Sequence, residues 1–216
     1  MQGGCGGRSP PDMMTRAVFL DRDGTLIEEV GYLDRLERLV FFPFSVDAVR
    51  VLNRAGFAVV VITNQAGIAR GIVKETFVAE AHRHIADRLE AGGARVDGFY
   101  YCPHYPDGVV EEYRKACDCR KPQPGLLRRA AGDLHLDLER SFVVGDRWHD
   151  LAAGHAVGAR GVLVRTGLGW KDEADPHPGT VPDTIVDNLM DAAAWILQQP
   201  LDGAQGRPFD GTQGRP

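Results

Sequence analysis

The middle of the chain alternates short apolar runs with helical patterns, and this alternation limits the possible folds more than any other feature. Strands are expected at 17–21, 57–63, 97–101, 141–145, 160–165 and 184–187. Helices are expected at 45–55, 74–91, 124–132, 149–156 and 188–198. Alternation of this kind indicates right-handed βαβ units around a parallel sheet. The prediction is one α/β domain, a three-layer α/β/α sandwich of Rossmann-like type.

Local signals set the expected helix boundaries. Ser45 is the expected N-cap of the first helix, and Gly92-Gly93 should end the second. The longest irregular stretches, about 24–43 and 102–123, exceed the usual loop length. Long loops in compact domains are usually functional.

Both ends of the chain differ from the middle. Residues 1–15 are rich in Gly and Pro without periodicity, so we expect a disordered leader. The last residues carry a direct repeat, DGAQGRP and DGTQGRP, which is too small and polar to bury a core. We therefore expect one domain over residues 16–198 and a disordered tail over 199–216.

Composition narrows the possible partners. Thirty acidic residues outnumber 25 basic ones in 216, a net charge of −5, so the chain lacks the basic excess typical of nucleic-acid binding. No apolar run approaches the roughly 20 residues that span a bilayer, and the N-terminal segment has no signal-peptide core. We expect a cytoplasmic monomer that binds neither nucleic acid nor membrane.

Two carboxylates, Asp21 and Asp23, directly follow the apolar run 17–20 and precede Gly24-Thr25. In an extended chain, residues i and i+2 point the same way, and ligands of open α/β sheets collect at the carboxyl ends of the strands. Two like charges this close are unfavourable without a cation or proton between them. The alternative is a solvated Asp-x-Asp-Gly turn.

Three further polar signals follow strand ends or precede a helix. They are Thr63-Asn64-Gln65-Ala66-Gly67, Arg120-Lys121-Pro122, and Gly145-Asp146 through Asp150. In a parallel sheet they should converge on the paired aspartates. A nucleophilic carboxylate, Mg²⁺, a hydroxyl, backbone amides and a lysine together suit phosphoryl transfer. Taken singly, each has a structural alternative: a turn, a solvated Lys121, or a helix cap at Asp146 with an exposed Asp150.

In their joint order these motifs resemble the haloacid dehalogenase-like phosphohydrolase superfamily over about residues 16–198. The resemblance implies that Asp21 is the nucleophile and Asp23 the general acid/base. It implies that Thr63 and Lys121 stabilise the transferred phosphoryl group. Mg²⁺ would be held by Asp21, the Asp23 carbonyl and Asp146. No cap domain is apparent, so the two long loops should cover the site.

A second cluster consists of Cys102, His104, Cys117 and Cys119. Three thiols and one imidazole form a Cys₃His set, a closed tetrahedral ligand count typical of structural zinc. The alternatives are buried cysteines with incidental neighbours, or an open catalytic zinc, which would need a vacant position for water. We expect a zinc that orders a loop with little core of its own.

The expected zinc loop, residues 102–119, narrows the resemblance to one family. The runs Phe19-Leu-Asp-Arg-Asp-Gly-Thr25, Thr63-Asn-Gln-Ala-Gly-Ile-Ala-Arg-Gly71, Tyr100-Tyr-Cys-Pro-His-Tyr-Pro-Asp-Gly108 and Cys117-Asp-Cys-Arg-Lys-Pro-Gln-Pro-Gly125 look like the D-glycero-D-manno-heptose 1,7-bisphosphate 7-phosphatase family. That family implies a Mg²⁺-dependent phosphatase in nucleotide-activated heptose and lipopolysaccharide biosynthesis. It implies substrate contacts at Glu29, Val30, Gly31, Tyr32, Asn64, Gln65, Ala66, Arg120 and Arg147. Arg147 stands where members often have Lys, which alters reach and geometry.

Competing functions stay open at this point. Histidinol-phosphate phosphatase domains share much of the pattern, so histidinol phosphate or another small monoester is an alternative substrate. A zinc-bearing binding module without catalysis is disfavoured by the complete motif set. A nucleic-acid 3′-phosphatase would need a basic groove, of which the acidic balance gives no sign.

Overall fold

The computed structural model describes residues 14–200, which contain a six-stranded parallel sheet. Its strands are β1 Thr15–Leu20, β2 Ala58–Asn64, β3 Gly98–Cys102, β4 Leu136–Gly145, β5 Arg160–Val164 and β6 Thr184–Val186. The order across the sheet is β3-β2-β1-β4-β5-β6, and every neighbouring pair is parallel. The predicted parallel α/β fold is confirmed. The described residues do not include positions 1–13 of the expected leader or positions 201–216 of the expected tail.

Seven helices connect or flank the strands within residues 14–200. They are α1 Ser45–Arg54, α2 Ala66–Ala69, α3 Glu75–Ala91, α4 Gly125–Leu134, α5 Trp148–His155, α6 Gly169–Ala174 and α7 Leu189–Leu197. The five predicted helices are present within two residues of their expected bounds. The short helices α2 and α6 are additional, because four and six residues are too few to show an amphipathic period.

The sheet lies between two layers of helices. Alternate residues of β1 serve opposite faces, since successive side chains of a strand point to opposite sides. Val18 and Leu20 belong to a core shared with α1, α3 and α7. Ala17 and Phe19 belong to a second core shared with α4 and α5. The inner strands β1, β2 and β5 are thus buried on both faces, as their continuous apolar runs predicted, whereas the edge strands β3 and β6 are mostly half-buried.

Two local predictions need correction. Ser45 does not cap α1 but is its first residue, and its hydroxyl donates to the carbonyl of Leu26 at 2.7 Å. The N-cap position is Phe44, which makes no side-chain cap. β4 begins at Leu136, five residues earlier than expected, because the polar stretch 137–140 continues the strand despite its charges. In this stretch β4 pairs with β1 on both sides of a register shift, and this pairing extends the strand although the local sequence pattern is not that of a buried strand.

The order of the strands defines where a site can form. The chain passes from β1 outward through β2 to β3, and then crosses back to place β4 on the other side of β1. The carboxyl ends of β1 and β4 therefore form the switch point at which ligands bind in open α/β sheets. The two long irregular stretches, 21–44 and 103–124, lie on this edge. Among residues 14–200 no helix combines the length and apolar character needed to cross a membrane.

Candidate active site

A cleft opens at the carboxyl edge of the sheet, above β1, β2 and β4. Its walls carry nearly all residues that the sequence assigned to catalysis and substrate binding. The lining residues include Asp21, Asp23, Glu29, Gly31, Tyr32, Thr63, Asn64, Gln65, Ala66, Arg120, Lys121, Asp146 and Arg147. Val30 is not among them, and its side chain packs against the core on the α1 side of the sheet.

Lys121 lies at the floor of the cleft and is almost fully buried. Its Nζ donates to Asp21 Oδ1 at 2.8 Å and to the carbonyl of Ile62 at 2.9 Å, and it pairs with Asp150 Oδ1 at 2.6 Å. All three ammonium protons therefore have acceptors. Burial opposes the charge, but Asp150 and Asp21 raise the pKa of Lys121, so the ammonium stays protonated. The alternative of a solvated lysine is wrong.

Asp150 is completely buried, which contradicts the alternative of an exposed helix residue. Besides Lys121 it contacts His149 Nδ1 at 3.3 Å, and it accepts a hydrogen bond from the backbone N–H of Arg147 at 3.1 Å. Burial by itself disfavours the charged form, but Lys121 and His149 hold the pKa of Asp150 well below its usual range. Asp150 therefore acts as a fixed negative partner for Lys121.

Asp146 follows β4 and faces Asp21 from the other side of the switch point. It is buried and accepts a hydrogen bond from the N–H of Leu168 at 2.8 Å, so it does not cap α5. Gly24, at φ +81°, approaches so closely that a Cβ there would lie 2.2 Å from Asp146 Oδ2. Gly167 leaves the same kind of space, with a Cβ 2.3 Å away. Any side chain at either position would displace the carboxylate.

The carboxylates of Asp21, Asp146 and Asp150 lie within 4.8 Å of one another. Lys121 is the positive partner among these three carboxyl groups, and it pairs with Asp21 and Asp150. Burial, followed by the charges of Asp21 and Asp150, raises the pKa of Asp146 to about 9. Burial, partly offset by Lys121, raises the pKa of Asp21 to about 6. A hard divalent cation would stabilise the charged forms of Asp21 and Asp146, and two carboxylates plus water suit Mg²⁺, so the donor set fits the metal.

Asp23 points into the cleft within a hydrogen-bonded frame. Arg22 donates to both of its oxygens at 3.0 Å, and Gln65 Nε2 donates to Asp23 Oδ2 at 3.2 Å. The same Gln65 nitrogen donates to Thr63 Oγ1 at 2.9 Å. Gln65 thereby links the paired aspartates after β1 to the hydroxyl at the end of β2.

The end of β2 is also tied to the Arg120-Lys121 segment. Asn64 Nδ2 donates to the carbonyl of Lys121, and the N–H of Lys121 donates to Asn64 Oδ1, both at 3.0 Å. Arg120 points along the rim, with its guanidinium carbon 5.1 Å from the ring centre of Tyr105. Thus Lys121 is fixed inside the sheet edge, while Arg120 is available at the entrance.

The loop after β1 forms another wall of the cleft. Glu29 Oε1 accepts a hydrogen bond from the N–H of Gly31 at 2.5 Å. Burial and the nearby charge of Asp23 raise the pKa of Glu29. Arg38 donates to the carbonyls of Val30 and Tyr32, at 2.6 and 2.9 Å. These bonds order a segment that has little secondary structure.

The three cysteines and His104 converge at the base of the second long loop. The Sγ atoms of Cys102, Cys117 and Cys119 lie 3.2–3.5 Å apart, and His104 Nδ1 lies 3.3 Å from Cys119 Sγ and 3.8 Å from Cys102 Sγ. Donors of a tetrahedral zinc with bonds near 2.3 Å would be separated by about 3.8 Å. None of the three thiols forms a disulfide within the described residues. The set therefore fits a closed zinc site.

Sequence reasoning did not identify two residues that shape the cleft. Arg22 lies between the paired aspartates in the sequence. Its role in orienting the Asp23 carboxylate is seen only from its burial and its two hydrogen bonds to Asp23. Asp172 lies on α6 and accepts from Arg147 Nε at 3.1 and 3.3 Å. No motif marked α6, so the sequence held no usable signal for Asp172.

Comparisons with known proteins agree with this geometry. The family described as HAD-hydrolase-like matches residues 118–192. The D-glycero-beta-D-manno-heptose-1,7-bisphosphate 7-phosphatase of Escherichia coli strain K12 is 43% identical over 185 residues, which is 85% of this chain and 94% of that protein.

Two crystal structures extend the comparison. The D,D-heptose 1,7-bisphosphate phosphatase of B. bronchiseptica, complexed with magnesium and phosphate, is 32% identical with a TM-score of 0.76. It matches 85% of this chain and 99% of its own. A HAD-like phosphatase of Mesorhizobium loti is 36% identical with a TM-score of 0.73, covering 89% of this chain and 90% of its own.

Proposed function

The chain belongs to the D-glycero-beta-D-manno-heptose-1,7-bisphosphate 7-phosphatase family, and we propose on this basis that it removes the 7-phosphate of heptose 1,7-bisphosphate through an aspartyl-phosphate. The observation that carries the proposal is the ion pair between Asp21 and the buried Lys121 at the floor of a cleft. Arginines 120 and 147 line the same cleft and supply positive charge for an anionic substrate.

In the first step Asp21 attacks phosphorus in line. Lys121 occupies Oδ1 of Asp21, which leaves Oδ2 as the nucleophilic oxygen. Asp23 donates a proton to the departing sugar oxygen, and Gln65 and Arg22 orient its carboxyl group. The Thr63 hydroxyl and the backbone amides after β2 stabilise the transferring phosphoryl oxygens.

In the second step Asp23 takes a proton from the water that cleaves the aspartyl-phosphate. Lys121 acts mainly through its charge, because its three protons are already bonded within the protein. A direct bond to a phosphoryl oxygen would require one of those three bonds to break. When bound, Mg²⁺ supplies charge neutralisation for an anion approaching an anion. Asp21, the Asp23 carbonyl and Asp146 would hold it.

Residues at the rim of the cleft select the substrate. Arg120 and Arg147 offer guanidinium forks for the remote phosphate or for sugar hydroxyls. Glu29, Gly31, Tyr32, Asn64, Gln65 and Ala66 line the path between rim and floor. Val30 would contribute through its backbone only, since its side chain packs against the core.

The Cys₃His cluster holds zinc as a structural ion. Burial raises the pKa of Cys119 to about 11, so this thiol would stay protonated without a cation to bind, whereas hydrogen bonds with Cys119 and Cys102 lower the pKa of Cys117. Cys102 ends β3, and its carbonyl accepts from the N–H of Gln65 at 2.8 Å. Cys119 directly precedes Arg120 and Lys121. The zinc cluster is therefore continuous with residues of the cleft on both sides.

Released phosphate should be measured with Mg²⁺ for heptose 1,7-bisphosphate, histidinol phosphate and p-nitrophenyl phosphate. We expect the highest kcat/KM for the heptose bisphosphate and loss of turnover with EDTA. A higher kcat/KM for histidinol phosphate would replace the proposed substrate by that alternative. No turnover of any ester would favour a binding module instead. Oligomeric state can be measured on the same preparation by light scattering, where we expect a monomer.

A further inference from the structure

Arg147 reaches the cleft from the start of α5, and α6 holds its side chain from behind. Its Nε donates to both carboxylate oxygens of Asp172, at 3.1 and 3.3 Å. The Asp172 side chain is only 13% exposed, against 33% for Arg147. The contact is therefore largely shielded from water, where a charged hydrogen bond is stronger than at an exposed site.

The same carboxylate has a second partner. Asp172 Oδ2 accepts from the backbone N–H of Trp148 at 2.5 Å. Trp148 is the first residue of α5, so Asp172 fixes the helix start and the Arg147 side chain together. In addition, the ring of Trp148 stacks on His177 with ring centres 3.7 Å apart. The segment after β5 thus contacts both Arg147 and the first residue of α5.

Only one edge of the guanidinium is used. Within residues 14–200 the side-chain hydrogen bonds that Arg147 donates all come from Nε, and neither Nη nitrogen donates one. A guanidinium can pair through Nε and still present two Nη groups to a ligand. A lysine at this position has a single nitrogen, which Asp172 would capture in an ion pair.

We propose that Asp172 is a positioning residue that holds Arg147 by Nε and so presents its two Nη groups to a phosphate or hydroxyl oxygen of the substrate. This pairing makes arginine the side chain required at position 147 of this chain. The inference rests on the proposed function for the identity of the substrate. It concerns how Arg147 is oriented, so its effect should fall on KM rather than on kcat.

The test compares the wild type with Asp172→Asn, Arg147→Lys and the double variant, on heptose 1,7-bisphosphate. We expect each single substitution to raise KM by about 10- to 100-fold, as a misplaced substrate contact does, with little change in kcat. The double variant should have a lower KM than Arg147→Lys alone, because removing the Asp172 charge releases the ammonium. The exposed Asp175→Asn on the same segment is the matched control and should resemble the wild type.

Other results would overturn the inference. An unchanged KM in Asp172→Asn, or losses that multiply in the double variant, would mean that Asp172 does not position Arg147. If Asp172→Asn affected p-nitrophenyl phosphate as much as heptose 1,7-bisphosphate and also lowered Tm, Asp172 would serve only to stabilise the start of α5. If the wild type prefers another ester, the proposed substrate fails separately. The wild type, the two single variants and the double variant are then compared on that ester. A lower KM in the double variant than in Arg147→Lys supports the inference, and an equal or higher KM overturns it.

Discussion

Two clusters of side chains between residues 14 and 200 could hold a metal ion, and they differ in charge, burial and access. The carboxylates of Asp21, Asp146 and Asp150 stand at the ends of rigid central strands or in the helix that follows, and the first two line an open cleft. The Cys₃His cluster closes on itself at the base of a loop, and none of its four residues lines that cleft.

The difference indicates what each cluster can do. A catalytic cation needs a vacant coordination position and firmly placed ligands, which the sheet edge provides. A structural cation needs a complete ligand set, because its binding energy has to order a chain segment with little core of its own. Residues 103–124 contain only one short 3₁₀ helix, at Glu111–Tyr113. The carboxylate cluster is therefore expected to serve catalysis, and the Cys₃His cluster to stabilise the loop.

The largest effect should come from Asp21→Asn. An amide cannot attack phosphorus and is a poorer metal ligand, so we expect turnover to fall by roughly 10⁴-fold or more. Zinc content, measured by metal analysis, should stay at about one ion per chain, as in the wild type. Substantial residual turnover would remove Asp21 from the nucleophile role, and a loss of zinc would contradict the independence of the two clusters.

Lys121→Met should damage both activity and stability. Removing the ammonium leaves Asp21 and Asp150 buried without a positive partner, which typically costs about 3–5 kcal/mol. We expect a clear drop in Tm by calorimetry, together with loss of turnover. The exposed Lys115→Met, in the same loop, should leave both quantities near those of the wild type. An unchanged Tm for Lys121→Met would show that water compensates the buried carboxylates.

Most of this arrangement could be predicted from the sequence, because strand ends carry their own signals. The apolar run before Asp21 fixed a buried strand, and the parallel topology then brought Thr63, Lys121 and Asp146 to one edge. The Cys₃His set was predictable because four soft ligands fall in one loop.

What could not be predicted depends on packing between distant segments. Asp172 contacts Arg147, which lies 25 positions earlier in the sequence. Asp172 belongs to α6, whose six residues are too few to show an amphipathic pattern. Ser45 has the composition of an N-cap, yet its hydroxyl bonds to a loop carbonyl 19 residues away. Such choices are decided by the assembled core rather than by local preference.

Cys117→Ser should remove zinc and loosen the second loop. Since Cys119 directly precedes Arg120 and Lys121, we expect kcat/KM to fall by more than the loss of Arg120 alone would cause. Limited proteolysis should show new cleavage near residues 102–120. The matched control is Asp118→Asn, between the two cysteines, which should keep its zinc. Full zinc occupancy in Cys117→Ser would contradict the assigned ligand set.

The smallest expected effect concerns Arg120→Ala, which separates the rim of the cleft from its floor. Arg120 lies over Tyr105 at the entrance, whereas Lys121 pairs with Asp21 at the floor. Losing one charged hydrogen-bond partner costs roughly 1.5–3 kcal/mol, or about 10- to 150-fold in kcat/KM. We expect that loss for heptose 1,7-bisphosphate and a much smaller one for p-nitrophenyl phosphate, which has no second phosphate to bind.

Arg114→Ala provides the control for Arg120→Ala, because Arg114 is an exposed arginine of the same loop and does not line the cleft. It should leave kcat/KM unchanged on both esters, which separates a specific contact from a general loss of positive charge. Equal losses on both esters in Arg120→Ala would place its guanidinium at the phosphoryl centre. Arg120 would then act together with Lys121 in catalysis, and the role of the cleft rim in selecting the substrate would no longer hold.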